Sequence, residues 1–198
     1  MEQDDILRKY SGEWILLFND KVVDHSINLE DMLKAADEKY PAQKFPEDTI
    51  RISKVLSGSI HLHWRAMPEQ PFVFEYRDYP LIPIKFYNKD RETPLIDALL
   101  DSGGDFIVIP HAIAKYLKLK LEKAGNVDTA GGETTLCKSI LTMVIYDEDR
   151  KLSYENLEIH VSDRNDLPVL LGRHPIFEDH EIVFKKHENQ LILQPIQH

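Results

Sequence analysis

The chain sets a polar, glycine-rich step, Asp101-Ser102-Gly103-Gly104-Asp105, between two apolar runs, Leu99-Leu100 before it and Phe106-Ile107-Val108-Ile109 after it. Flanks of this kind belong in a core, so the step reads as a loop joining two buried strands. Burying a carboxylate alone would cost several kcal/mol, so Asp101 needs hydrogen bonds or a second charge to hold it. That requirement makes Asp101 a candidate site.

The surrounding pattern is one of short apolar runs separated by turn signals. Residues 72–76 and 81–87 read as a hairpin, with Pro83 at an edge or irregular position. Residues 94–100 lead into the Asp101 loop and 106–109 leave it, after which Pro110 opens a short helix over 111–117. Gly131-Gly132 marks a turn between strands. Residues 136–146 and 152–161 are strands joined through Asp147-Glu148-Asp149-Arg150. Pro175 begins a turn of helix, and Ile182-Val183-Phe184 pairs across Glu188-Asn189 with Leu191-Ile192-Leu193. Many short strands of this type predict an all-β, barrel-like domain over 72–198.

The first 57 residues predict a separate small α+β unit of β-β-α-β order. Trp14-Ile15-Leu16-Leu17-Phe18 and Lys21-Val22-Val23-Asp24-His25 flank a tight turn at Asn19-Asp20. Asn28 caps a helix, with Asp31 partly imitating a capping box and Leu29, Met32, Leu33 and Ala36 on one face. Tyr40-Pro41 ends that helix, and residues 49–56 form a further strand. Residues 58–71 are then a linker or an extra strand. His61 and His63 alternate with apolar neighbours there; two imidazoles without a third ligand suit surface or half-buried histidines better than a metal site.

Composition narrows the functions. A net charge of −10 argues against nucleic acid as partner, because phosphate binding needs a basic face. No apolar run of about 18 residues occurs, so no membrane span is expected. Met1-Glu2-Gln3-Asp4-Asp5 is acidic where a secretory signal would be basic, which favours a cytoplasmic location. The single cysteine, Cys137, excludes an intrachain disulfide and a cysteine-based zinc cluster, and reads as a small apolar side chain. No cofactor or metal is expected.

The residues around Asp101 resemble the active-site strand and loop of the retroviral-type aspartic proteases, the retropepsins, whose pattern is aliphatics, Asp, Ser or Thr, Gly, then Ala or Ser, often followed by another Asp. Further on, Val169-Leu170-Leu171-Gly172-Arg173 is similar to the aliphatic-Gly-Arg segment before the short C-terminal helix of that family. Gly104 departs from the pattern and gives the loop more backbone freedom. Near the start, Tyr10-Ser11-Gly12-Glu13-Trp14 resembles the Tyr-x-Gly-x-Trp opening of a small uncharacterised domain of archaeal and bacterial proteins.

The retropepsin resemblance implies a closed β-barrel and an aspartic endopeptidase. Peptide hydrolysis by carboxylates needs two that share a proton, one activating water and one polarising the scissile carbonyl. The chain offers one Asp-Ser-Gly, since Asp128-Thr129-Ala130-Gly131 is interrupted. The second carboxylate would therefore come from another copy, across the two-fold axis of a homodimer. By the same resemblance, Asp101 is the acid and base, Ser102 bonds across the axis and Gly103 admits substrate backbone. Gly104 and Asp105 line the polypeptide substrate, Gly131 and Gly132 belong to a flap, and Gly172 and Arg173 support the loop, with Arg173 pairing with Asp105. The alternative is a catalytically inactive dimerisation or peptide-binding module of the same fold.

Overall fold

A computed structural model of the chain describes residues 9–19, 21–41, 45, 49–55, 71–129, 132–147 and 150–196. The join at 57–59, the histidines at 61 and 63, Asp20 of the first turn and Gly131 lie outside the described residues.

The N-terminal strands β1 (Trp14–Phe18) and β2 (Lys21–Ser26) pair antiparallel around Asn19, which takes a left-handed φ of 48°. Helix α1 (Leu29–Lys39) begins at Asn28, whose side chain accepts from the Glu30 N–H at 3.0 Å. Such a cap is worth about 1 kcal/mol. Asp31 does not complete the box: the Asn28 N–H goes to Ser26 Oγ, and that hydroxyl donates to Asp31 at 2.9 Å. Leu29, Met32, Leu33 and Ala36 form the buried stripe, and the Tyr40 N–H closes the helix on the Ala36 carbonyl. Strand β3 (Ile50–Lys54) runs antiparallel to β1.

From residue 72 the strands are β4 (Phe72–Glu75), β5 (Leu81–Asn88), β6 (Arg91–Glu92), β7 (Leu95–Leu100), β8 (Val108–Pro110), β9 (Glu122–Thr129), β10 (Gly132–Asp147), β11 (Arg150–Ser162), β12 (Leu170–Leu171), β13 (His180–Lys185) and β14 (Gln190–Pro195). The pairings run β7-β12-β8-β11-β10-β5 and return from β5 to β7, which closes a six-stranded barrel. Closure removes the free edges that an open sheet would expose. Helix α2 (His111–Tyr116) starts after Pro110, and the one-turn helix α3 (Ile176–Asp179) follows Pro175. The expected mainly β architecture, a closed barrel with a small N-terminal α+β portion, is what the chain adopts.

One expected pairing is wrong. Strand β4 does not form a hairpin with β5; it joins β14 in a second sheet of order β13-β14-β4, with Phe74 opposite Leu191. Both edges of β5 are already occupied, by β7 on one side and β10 on the other, so β4 has no ladder to add to there. Its placement also buries Phe72 and Phe74 with Leu191 and Leu193 in the main core.

That core is continuous. Trp14, Leu16 and Leu33 from the N-terminal portion pack in one cluster with Ile84, Phe86, Ile96 and Ile109 of the barrel. Each such side chain contributes roughly 1.5–3 kcal/mol when fully buried. Backbone bonding crosses the same boundary, because β3 lies parallel to β7 with Arg51 opposite Leu95 and Ile52 opposite Ile96.

Candidate active site

Strand β7 delivers Asp101, and its end is clamped on both sides. On one side β12 runs parallel, pairing Leu170 with Leu99 and Leu171 with Leu100. On the other, β5 runs antiparallel, with Leu81 opposite Leu99. The Leu99 N–H donates to the Val169 carbonyl at 2.8 Å, and the Asp101 N–H donates to the Leu171 carbonyl at 2.9 Å. The backbone on which the carboxylate is mounted is therefore fixed before the loop begins.

The loop then folds over that carboxylate. Asp101 is half-buried, and its Oδ1 accepts from the Gly103 N–H at 2.9 Å. A Cβ at Gly103 would stand 3.2 Å from Oδ1, and one at Gly104 3.3 Å from Oδ2. Both contacts are tighter than ordinary packing, so the two glycines leave the carboxylate its room. Gly104 is held at both ends: its N–H reaches the Asp101 carbonyl at 3.4 Å, and its carbonyl accepts from the Arg173 N–H at 2.9 Å. The freedom expected from a glycine here is thus taken up by the backbone bond to Arg173.

The C-terminal motif closes the loop from the other side. The His174 N–H donates to the Asp105 carbonyl at 2.8 Å, and the Arg173 guanidinium forms an ion pair with the Asp105 carboxylate. Gly172 passes directly against Phe106: an added Cβ would lie 2.3 Å from its carbonyl oxygen and 2.7 Å from its C and N. No side chain fits there, which is the physical reason for glycine in the Leu-Leu-Gly-Arg segment. Arg173 and Asp105 are 57% and 64% exposed. A pair so solvated contributes about 0–1 kcal/mol, so the backbone bonds and the close approach of Gly172 hold the loop more than the charges do.

Asp101, Ser102, Gly103, Gly104, Asp105, Gly172 and Arg173 are therefore drawn into one structure, with Ser102 and Asp105 facing solvent. Gly132 is elsewhere, at the start of β10 opposite Thr129 in the β9–β10 hairpin. Asp105 pairs with Arg173, and Asp101 stands beside it with its Oδ1 on the Gly103 N–H.

The chain order hid a neighbouring cluster. Pairing of β10 with β11 sets Lys138 opposite His160, and the Phe106 ring tilts onto the His160 ring at 4.6 Å. Lys138 lies 5.9 Å from the Phe106 ring centroid and bonds Glu158 at 2.5 Å. Burial, and then the Lys138 charge, hold the His160 imidazole below its usual range. Among the described residues, no group of three or more His, Cys, Asp or Glu is placed to hold a metal ion.

Residues 86–174 match the family described as aspartyl protease, a span that runs from β5 through the Asp101 loop to His174. This bears out the resemblance carried by the two motifs. Residues 5–46 match a family of unknown function, DUF5678. No curated protein matches the chain. Among solved structures, a retropepsin-like aspartic protease from Rickettsia conorii is 20% identical over 62% of this chain and 98% of its own, with a TM-score of 0.48. The EIAV protease bound to an inhibitor is 18% identical over 51% of this chain and 88% of its own, with a TM-score of 0.38. The retroviral protease-like domain of Ddi1 from Leishmania major is 13% identical over 60% and 90%, with a TM-score of 0.40.

Proposed function

We propose that this chain is an aspartic endopeptidase that cleaves a polypeptide substrate with a water activated between two Asp101 carboxylates, one from each copy of a homodimer. The observation that carries the reading is the Asp101 loop within the segment matched to aspartyl proteases: a half-buried carboxylate, bonded to the Gly103 N–H, on a strand end fixed from both sides. One carboxylate of this kind is half of a dyad. A two-fold axis beside the loop supplies the other at the same height along the axis, facing the first.

In this reading the ionised Asp101 takes a proton from water while its protonated twin polarises the substrate carbonyl, and the roles exchange as the amine leaves. Ser102, exposed at the loop tip, bonds across the axis. Gly103 and Gly104 let the substrate backbone lie close, and Asp105, oriented by Arg173, takes up its main chain. The β9–β10 hairpin, where Gly132 stands opposite Thr129, covers the bound peptide and excludes water. The N-terminal portion, which shares a core and a sheet with the barrel, acts in recruiting or packing. The free Cys137 suits a reducing, cytoplasmic setting.

The test is Asp101→Asn, assayed for cleavage of a fluorogenic peptide library and for dimerisation by sedimentation. Loss of cleavage with the dimer retained is expected, together with a bell-shaped rate profile peaking at mildly acidic pH and inhibition by statine-type compounds in the wild type. Undiminished cleavage by the variant would remove the reading. A wild-type dimer that binds peptide without turnover would assign the fold to a binding module instead.

A further inference from the structure

A cavity of about 580 Å³ lies between α1 and the outer face of the barrel, and none of its lining residues belongs to the Asp101 loop. Its size falls within the range of small-molecule sites, roughly 300–1,000 Å³. The N-terminal portion supplies one wall, including Tyr40 and Phe45, and the barrel supplies the other, including Tyr87 and Lys85. The aromatic wall is preformed: Tyr40 stacks on Phe18 at 5.0 Å, and Phe45 meets Tyr40 edge-on at 5.7 Å.

Lys85 is the unusual member of this lining. Its side chain is only 4% exposed, yet its ammonium meets Glu92 at 3.5 Å, beyond good hydrogen-bond length, and the Tyr146 ring at 5.8 Å. An ammonium has three donors, and Glu92 is the carboxylate that faces this one, at ion-pair distance. Of the other charges in the lining, Lys89 and Asp90 are exposed to solvent, and Asp37 and Arg91 are engaged. Asp37 accepts from the Tyr116 hydroxyl at 2.5 Å, and Arg91 donates to the Tyr116 carbonyl at 2.8 Å. What the cavity offers is a buried cation in a lining that also carries aromatic rings.

We propose that this cavity binds a ligand that joins a carboxylate to an aromatic body, with the carboxylate on Lys85 Nζ and the ring between Tyr40, Phe45 and Tyr87. The ligand is either a free aromatic acid or the C-terminal residue of a peptide, since both present the same groups. Binding here does not depend on the chemistry of Asp101, and it gives the segment of unknown function a role as half of a binding site.

The experiment is calorimetric titration of the full chain with N-acetylphenylalanine, its neutral amide, phenethylammonium and a tripeptide ending in phenylalanine with a free carboxylate. The acid is expected to bind saturably, with the amide weaker by about tenfold or more, the scale of one charge-assisted hydrogen bond. Tighter binding of the tripeptide than of the acetylated residue assigns the site to chain ends; weaker binding assigns it to small acids. Lys85→Met should abolish the difference between acid and amide. Glu92→Gln, which removes the carboxylate that competes for Lys85, should tighten the acid several-fold and decides the matter if the lysine variant does not fold. Equal binding of acid and amide, binding of phenethylammonium in place of the acid, no saturable binding at millimolar concentration, or an unchanged affinity in Glu92→Gln overturns the proposal.

Discussion

Replacing Gly172 with alanine tests what holds the Asp101 loop together. The new Cβ would sit 2.3 Å from the Phe106 carbonyl oxygen and 2.7 Å from two further backbone atoms, so no side-chain rotation relieves it. The strand must move by about an ångström, and the bonds from the Arg173 and His174 N–H groups to the Gly104 and Asp105 carbonyls stretch with it. Overpacking of a rigid site costs about 1–3 kcal/mol, and backbone on both sides puts this case at the upper end. For a chain of this size about 3 kcal/mol lowers the melting temperature by roughly 6–12 °C. Arg173→Ala removes the exposed ion pair alone and should cost about 0–1 kcal/mol, or at most roughly 4 °C. Thermal unfolding followed by circular dichroism measures both variants under one condition. A Gly172→Ala protein that melts with the wild type, or an Arg173→Ala protein that falls further than it, would refute the view that backbone contact outweighs charge here.

Two other outcomes follow from the fold. Asn28→Ala removes the α1 cap and should lower the melting temperature by roughly 2–4 °C, the equivalent of about 1 kcal/mol, with the barrel's near-ultraviolet signal otherwise intact below the transition. Asp147 is fully buried, and burial raises its pKa above the ordinary 3.8 despite its bond from Arg150. A carboxyl that holds its proton more tightly when folded stabilises below the unfolded value and loses that contribution as pH rises through the folded one. The stability of the wild type relative to Asp147→Asn should therefore decline as pH increases from about 3.8 toward neutrality. A difference that grows over that interval in paired denaturant titrations would contradict the assigned direction.

What could be read from the chain order was what neighbouring residues decide. The turn at Asn19, the cap at Asn28, the apolar stripe of α1 and the pairing of Ile182 with Leu193 are local, and each appears where its sequence signal puts it. The Asp101 loop was legible from its apolar flanks, and the Gly172-Arg173 segment and its pairing with Asp105 from a family resemblance; the structure adds the reason for glycine, a Cβ that would meet backbone. The partner of β4 was not legible. Adjacency favours β5, and only the closed barrel shows that β5 has no vacant edge. The contact of Phe106 with His160 and the cavity lined by Lys85 were hidden for the same reason, since they are built from segments far apart in the chain.

One edge of β7 is divided between two partners, β3 along its first residues and β12 along its last. The N-terminal portion is thus a stave of the same vessel rather than a passenger tethered to it. Whatever loosens β3 unpairs one edge of the first half of the strand that ends at the acid, while β5 still holds the other.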